Sequence, residues 1–178
     1  MKTNVSHMGK EQTTRILGID PGTAIVGWGV IDVSDTDVET VAFGHIETPK
    51  EDTDVARLDQ IAADLEEIIT TYRPQEAAVE ELFYFKNAKT VISVAQARGV
   101  TLHICSKNGL GVAEYTPLQI KQSLTSYGRA DKKQMQTMVT KILGLSSVPQ
   151  PDDTADALAV ALCHKNARKM QAQIDASI

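Results

Sequence analysis

The sequence predicts an α/β domain with a five-stranded mixed sheet flanked by helices. Three observations carry that expectation. Three short apolar runs follow one another closely, stretches with helical spacing come after them, and a strand–helix–strand alternation joins the two.

The first run, "RILGID", is apolar up to Asp20 and is broken by "PGT". "IVGWGVIDV" and "VETVAFGHIET" supply two more strands across the polar turn "SDTD", so the three form an antiparallel meander. Val55, Leu58, Ile61, Ala62, Leu65, Ile68, Ile69 and Tyr72 then recur at steps of three and four. That spacing marks an amphipathic helix, which Pro74 ends. "EAAVEELF" reads as a fourth strand, buried in its first half. In "NAKTVISVAQARGVTLHICSKNG", Val91, Ile92, Val94, Ala95, Val100 and Leu102 cover more than one helix face. Such a helix packs on its own sheet and on a second surface, which predicts a homodimer. "GVAEYTP" is the fifth strand, followed by "LQIKQSLT", the turn "SYGRAD" and the helix "KKQMQTMVTKILGL". The last helix begins within "PDDTADALAVALCH". The order is βββ-α-β-α-β-α with two further helices, which places helices on the faces of a mixed sheet. Residues 1–14 read as a polar leader, 15–170 as one domain and 171–178 as a flexible tail.

With 178 residues and 42% apolar content, the chain suits one globular core. No apolar run approaches the ~20 residues of a membrane span, and the start lacks the apolar block of a secretory signal. Cys105 and Cys163 lie far apart in apolar surroundings, as core thiols do in a reducing compartment. A cytoplasmic protein is expected. The net charge of −5 argues superficially against a nucleic-acid partner, but the charge is segregated. Residues 32–81 carry fifteen acids against three basic side chains, whereas residues 82–151 carry nine basic side chains against two acids. One surface can therefore attract phosphate while the rest keeps the protein dispersed.

The acids themselves suggest chemistry. Asp20 ends the first strand, and Glu80 and Glu81 sit in the fourth, where a buried carboxylate is costly unless it pairs or binds metal. Asp153 and Asp156 are three apart and share a helix face, while Asp152, after Pro151, is the natural N-cap. Asp20, one of the two glutamates, Asp153 and Asp156 would concentrate about four negative charges, which demands cations. Oxygen ligands without a His or Cys cluster select Mg²⁺ or Mn²⁺. Two such ions, ~4 Å apart, suit an in-line phosphoryl displacement. With a basic flank and no nucleotide-binding glycine loop, that pattern points to phosphodiester hydrolysis.

"ILGIDPGTAIVGWGVID", "AVEELFYFKNAKTVISVAQARGV", "EYTPLQIKQSL" and "DDTADALAVALCH" together resemble the RuvC family of bacterial Holliday junction resolvases. The resemblance runs from about Arg15 to His164, in the family's order and spacing. It implies a ribonuclease H-like fold and a homodimer that nicks two strands symmetrically across a four-way DNA junction. The catalytic, metal-binding acids would be Asp20, Glu80, Asp153 and Asp156, so that Glu80 is preferred to Glu81. They would hold two Mg²⁺ ions, with Mn²⁺ as a substitute, in a hydrolysis that leaves a 5′-phosphate. Phe83 matches an aromatic residue that stacks near the branch point; taken alone, it reads as a core phenylalanine. Lys121 and Lys132 match lysines that contact phosphate, with Lys133 interchangeable if the turn shifts by one. The resemblance also implies a role in recombination and repair beside the branch-migration proteins RuvA and RuvB. Two other functions remain to be separated from this one. An actin-like phosphotransferase shares the "GIDPGT" turn but needs two such domains. A non-catalytic DNA-binding module of the same fold would have no use for four acids.

Overall fold

The computed structural model describes residues 13–82, 91–125 and 128–175. Five strands form one sheet: β1 (Thr14–Asp20), β2 (Ile25–Val33), β3 (Val38–Glu47), β4 (Glu76–Glu80) and β5 (Gly111–Tyr115). Five helices are α1 (Asp54–Tyr72), α2 (Val91–Lys107), α3 (Pro117–Thr125), α4 (Lys132–Ile142) and α5 (Asp152–Asp175). The sheet order is β3-β2-β1-β4-β5. β1–β2 and β2–β3 pair antiparallel, and β4 pairs parallel with both β1 and β5. This is the mixed, ribonuclease H-like arrangement that the motif resemblance implies.

The central strands are apolar on both faces because helices cover both. Ile16, Leu17, Ile19, Ala77, Ala78 and Val79 are fully buried. Ile61, Leu65 and Ile69 of α1 and Ala97, Ile104 and Cys105 of α2 close one face, together with Leu17, Ile19 and Val79. α3, α4 and α5 close the other, where Ile120, Leu124, Met135, Val139, Leu158 and Leu162 pack on Ile16, Ile31 and Ala78. The result is a three-layer sandwich with α5 lying directly across β1 and β2.

Local signals set the element ends. Thr53 caps α1 by accepting a hydrogen bond from the Ala56 N–H at 3.2 Å. Arg73 closes the helix in the left-handed conformation (φ 51°), immediately before Pro74. Asp131 and Gln134 form a reciprocal capping box at the start of α4. β1 stops at Asp20 because Pro21 offers no N–H to the ladder. β4 stops at Glu80, so that Glu81 and Leu82 of the expected run lie outside the strand, just past its last pairing with β1 at Val79. α5 runs on to Asp175, beyond the expected domain end at residue 170.

Two glycines let α5 lie close to the sheet. A Cβ on Gly18 would overlap the Ala157 carbonyl, and one on Gly27 would overlap the backbone of Asp153 and Thr154. Only glycine permits that approach. No helix among the described residues is long and apolar enough to cross a membrane.

Candidate active site

Parallel register brings Asp20 and Glu80 together. Ile19 pairs with Val79, and the two acids are the next residues of their strands. Their side chains are hydrogen-bonded to each other. Burial is the main cause that raises the Asp20 carboxyl well above the usual range, and the charges of Glu80, Asp156 and Asp153 add to it. Glu80 is pushed up to about 7, first by burial and then by Asp156, against the pull of Lys121 and Lys132. Asp156 is raised as well, by burial more than by its acidic neighbours, while Lys132 opposes the shift.

α5 presents Asp153 and Asp156 from its first two turns, with the apolar stretch from Ala157 to Cys163 fully packed behind them. The helix that carries Asp153 and Asp156 is thus held by the core rather than by a loop. Two clefts of about 250 Å³ flank Glu80. Lys121, Lys132, Asp156 and Glu80 supply the polar wall of one, with Ile120, Met135 and Ala159 as its apolar wall. Asp20, Glu80 and Glu81 supply the polar wall of the other. Pro117 and Glu80 belong to both. Glu81 therefore lies beside the acid pair, with its N–H donating to the Tyr115 carbonyl at 2.8 Å.

Lys121 reaches the site from α3 and Lys132 from the first turn of α4; Lys133, next to it, is exposed. The Lys132 ammonium lies 3.3 Å from Asp156 and 3.1 Å from Asp152. Phe83 falls outside the described residues. Asp152 is not the helix cap that its position after Pro151 predicts. It is the first residue of α5, and its carboxylate binds Lys132 and the Gln136 amide (2.8 Å) on α4. Those partners hold its carboxyl below the usual range. Sequence reasoning missed this bridge because its partners are sixteen and twenty residues away on another helix.

Four carboxylates and no sulfur or imidazole make a donor set that fits a hard divalent cation. Among the described residues, no three acidic, histidine or cysteine side chains enclose one point. The acids stand instead as a hydrogen-bonded pair, Asp20 and Glu80, beside an Asp156 that is paired with Lys132.

Arg98 of α2 also supports this corner. Its guanidinium pairs with Glu114 and donates to the Glu80 carbonyl at 3.3 Å, which ties the strand end to the helix.

His164, at the far end of the apolar part of α5, belongs to a separate network. Tyr115 Oη lies 2.7 Å from its Nδ1, Glu76 Oε2 lies 2.6 Å from its Nε2, and Arg168 also binds Glu76. Burial lowers the His164 pKa despite the hydrogen bond and charge of Glu76. A depressed histidine means that the unfolded chain takes up the proton first. The associated stability is present above about pH 6.5 and is lost as pH falls towards the folded-state value. Chemical denaturation should therefore show a larger loss of stability from pH 7.5 to 5.5 in the native chain than in a His164→Gln variant. Equal losses would assign that pH dependence to other groups.

Comparison with known proteins agrees with this geometry. The model of the family described as "Crossover junction endodeoxyribonuclease RuvC" matches residues 16–164. The protein of that name from Clostridioides difficile (strain 630) is 50% identical over 156 residues, which span 88% of this chain and 92% of the relative. The structure of Thermus thermophilus RuvC superposes with a TM-score of 0.82 at 33% identity, covering 89% of this chain and 97% of the other. That same protein in complex with a Holliday junction substrate gives a TM-score of 0.80 at 32% identity, covering 88% and 96%. The family model, the identity to the relatives and the superposition together show that the chain belongs to the RuvC family of crossover junction endodeoxyribonucleases.

Proposed function

We propose that this chain resolves four-way DNA junctions by paired, symmetric hydrolysis of phosphodiester bonds during recombination and repair. The observation that carries this is the meeting of Asp20 and Glu80 at parallel strand ends, beside Asp156 and two lysines. The RuvC family depends on divalent metal. Asp20, Glu80, Asp153 and Asp156 are the residues that would hold it here, as two Mg²⁺ ions for which Mn²⁺ can substitute. Bound there, the ions would supply an activated water and charge for the departing 3′ oxygen, so that a 5′-phosphate remains.

The chain's own residues do the rest. The sheet fixes Asp20 and Glu80 at rigid strand ends, and the glycine-floored seat of α5 fixes Asp153 and Asp156. Lys121 and Lys132 receive the non-bridging oxygens of the scissile phosphate and offset the charge that builds up in the transition state. Lys133 extends the basic rim, and Phe83 keeps the stacking role implied by the motif resemblance.

A homodimer fits the requirement for two simultaneous cuts. On α2, Ile92, Ala95, Gly99 and His103 form one exposed stripe, and Ile92 is 68% exposed. That stripe supports a second copy as partner, while RuvA and RuvB are further partners implied by the motif resemblance alone.

A synthetic four-way junction, with a linear duplex of the same sequence as control, tests the proposal. In Mg²⁺ the junction should yield two symmetric nicks bearing 5′-phosphates, while the duplex and an EDTA-treated sample stay intact. Equal cutting of the duplex, or cutting in EDTA, would reject it.

A further inference from the structure

Asp152 is not needed as a metal ligand in this scheme, yet both of its oxygens are committed. Oδ1 accepts from the Gln136 amide at 2.8 Å, and Oδ2 faces the Lys132 ammonium at 3.1 Å. Lys132 and Gln136 are one turn apart on α4, so amide and ammonium reach the same carboxylate. Asp152 and Asp156 are one turn apart on α5, so one ammonium spans both. The four side chains form an open chain, Gln136–Asp152–Lys132–Asp156, in which only the last belongs to the proposed metal ligands.

We propose that Asp152 is a positioning residue for phosphate recognition. With Gln136 behind it, Asp152 holds the Lys132 ammonium over Asp156, preset at the cleft where the scissile phosphodiester arrives. The inference rests on the nuclease proposal above. The Lys132 side chain is 54% exposed, and a lysine of that exposure without an anchor samples many rotamers. Asp152 removes that freedom before DNA binds. An ammonium has three donors; the two carboxylates occupy two, which leaves the third for an incoming phosphate.

Nitrogen-detected NMR of the lysine ammonium groups, on protein free of metal and DNA, tests the anchoring directly. The Lys132 ammonium should give a slowly exchanging signal in the native chain that is lost in Asp152→Asn. In single-turnover junction cleavage, Asp152→Asn should slow cutting roughly tenfold, with the junction Kd changed less than about twofold. Asp152→Glu should restore part of the rate, and Gln136→Met, which leaves both charges in place, should produce a smaller drop. Asp152→Asn added to Lys132→Gln should cost nothing further, because both changes remove the same interaction. Additive losses, an unchanged ammonium signal or a native rate in Asp152→Asn would each overturn the proposal. The two levels separate cleanly. If Asp20→Asn still cuts normally, the nuclease site itself is wrong; if Asp20→Asn is inert and Asp152→Asn is native, only the positioning role is wrong.

Discussion

Replacing Asp20 by asparagine should cut junction cleavage by about a thousandfold or more, roughly 4 kcal/mol of transition-state stabilisation, while the junction still binds. The amide is isosteric, so the end of β1 keeps its place between Gly27 on β2 and the β4 ladder. What it removes is an anionic oxygen from the most crowded part of the acid group, where Asp20 feels Glu80, Asp156 and Asp153 together. A neutral amide offers a divalent cation far less. Binding should hold or tighten, because DNA meets one negative charge fewer.

The same variant should also change stability in the metal-free protein. Burial and then the charge of Glu80 raise the Asp20 carboxyl, whereas burial and then the charge of Asp156 raise that of Glu80. For a raised carboxyl, the folded state holds protons that the unfolded chain has released. The stability is thus present below about pH 4 and is lost as pH rises through the folded value, near 7 for Glu80. Measured by melting in EDTA, the stability of the metal-free native protein relative to Asp20→Asn should fall between pH 5.5 and 7.5. A variant that cuts at the native rate in Mg²⁺, or melts with an unchanged pH slope, would remove Asp20 from the site.

Gly27→Ala should damage both the fold and the site. The new Cβ would overlap the carbonyl and carbon of Asp153 and the nitrogen of Thr154, all of them backbone. Backbone cannot rotate away, so the first turn of α5 must lift from β2. Overpacking of this kind costs about 1–3 kcal/mol, or roughly 3–10 °C in Tm for a domain of this size. Because Asp153 and Asp156 ride on the displaced turn, cleavage should fall by about a hundredfold. Gly29→Ala is the control, since its Cβ meets the Leu158 side chain, which can turn aside. It should cost less in both melting temperature and rate. If the two variants behave alike, close packing of α5 does not position the acids.

The separate parts of this protein differed in how far sequence could reach them. Asp20 was legible because an apolar strand runs into Pro21, and Asp153 and Asp156 because three-residue spacing on a helix sets a shared face. Glu80 and Glu81 could not be told apart by spacing, since both sit at the strand end. The register Ile19 with Val79 places Glu80 beside Asp20, whereas Glu81 borders the second cleft. Asp152 was misjudged as a helix cap because capping is a local rule, and its side chain is claimed by Lys132 and Gln136 instead.

By itself the sequence determined the elements, their order and the residue types of the site. Periodicity, turn residues and helix caps act over a few residues, and the four motifs carry the family resemblance. Only the tertiary structure decided which acids meet at the strand ends, which lysine faces which carboxylate, and how closely α5 approaches the sheet. Those outcomes depend on strand register and on helix packing at glycine, and both join residues that lie far apart in the chain. The three aspartates after Pro151 show the division: the shared face of Asp153 and Asp156 follows from their spacing, while the contacts of Asp152 exist only where α4 meets α5.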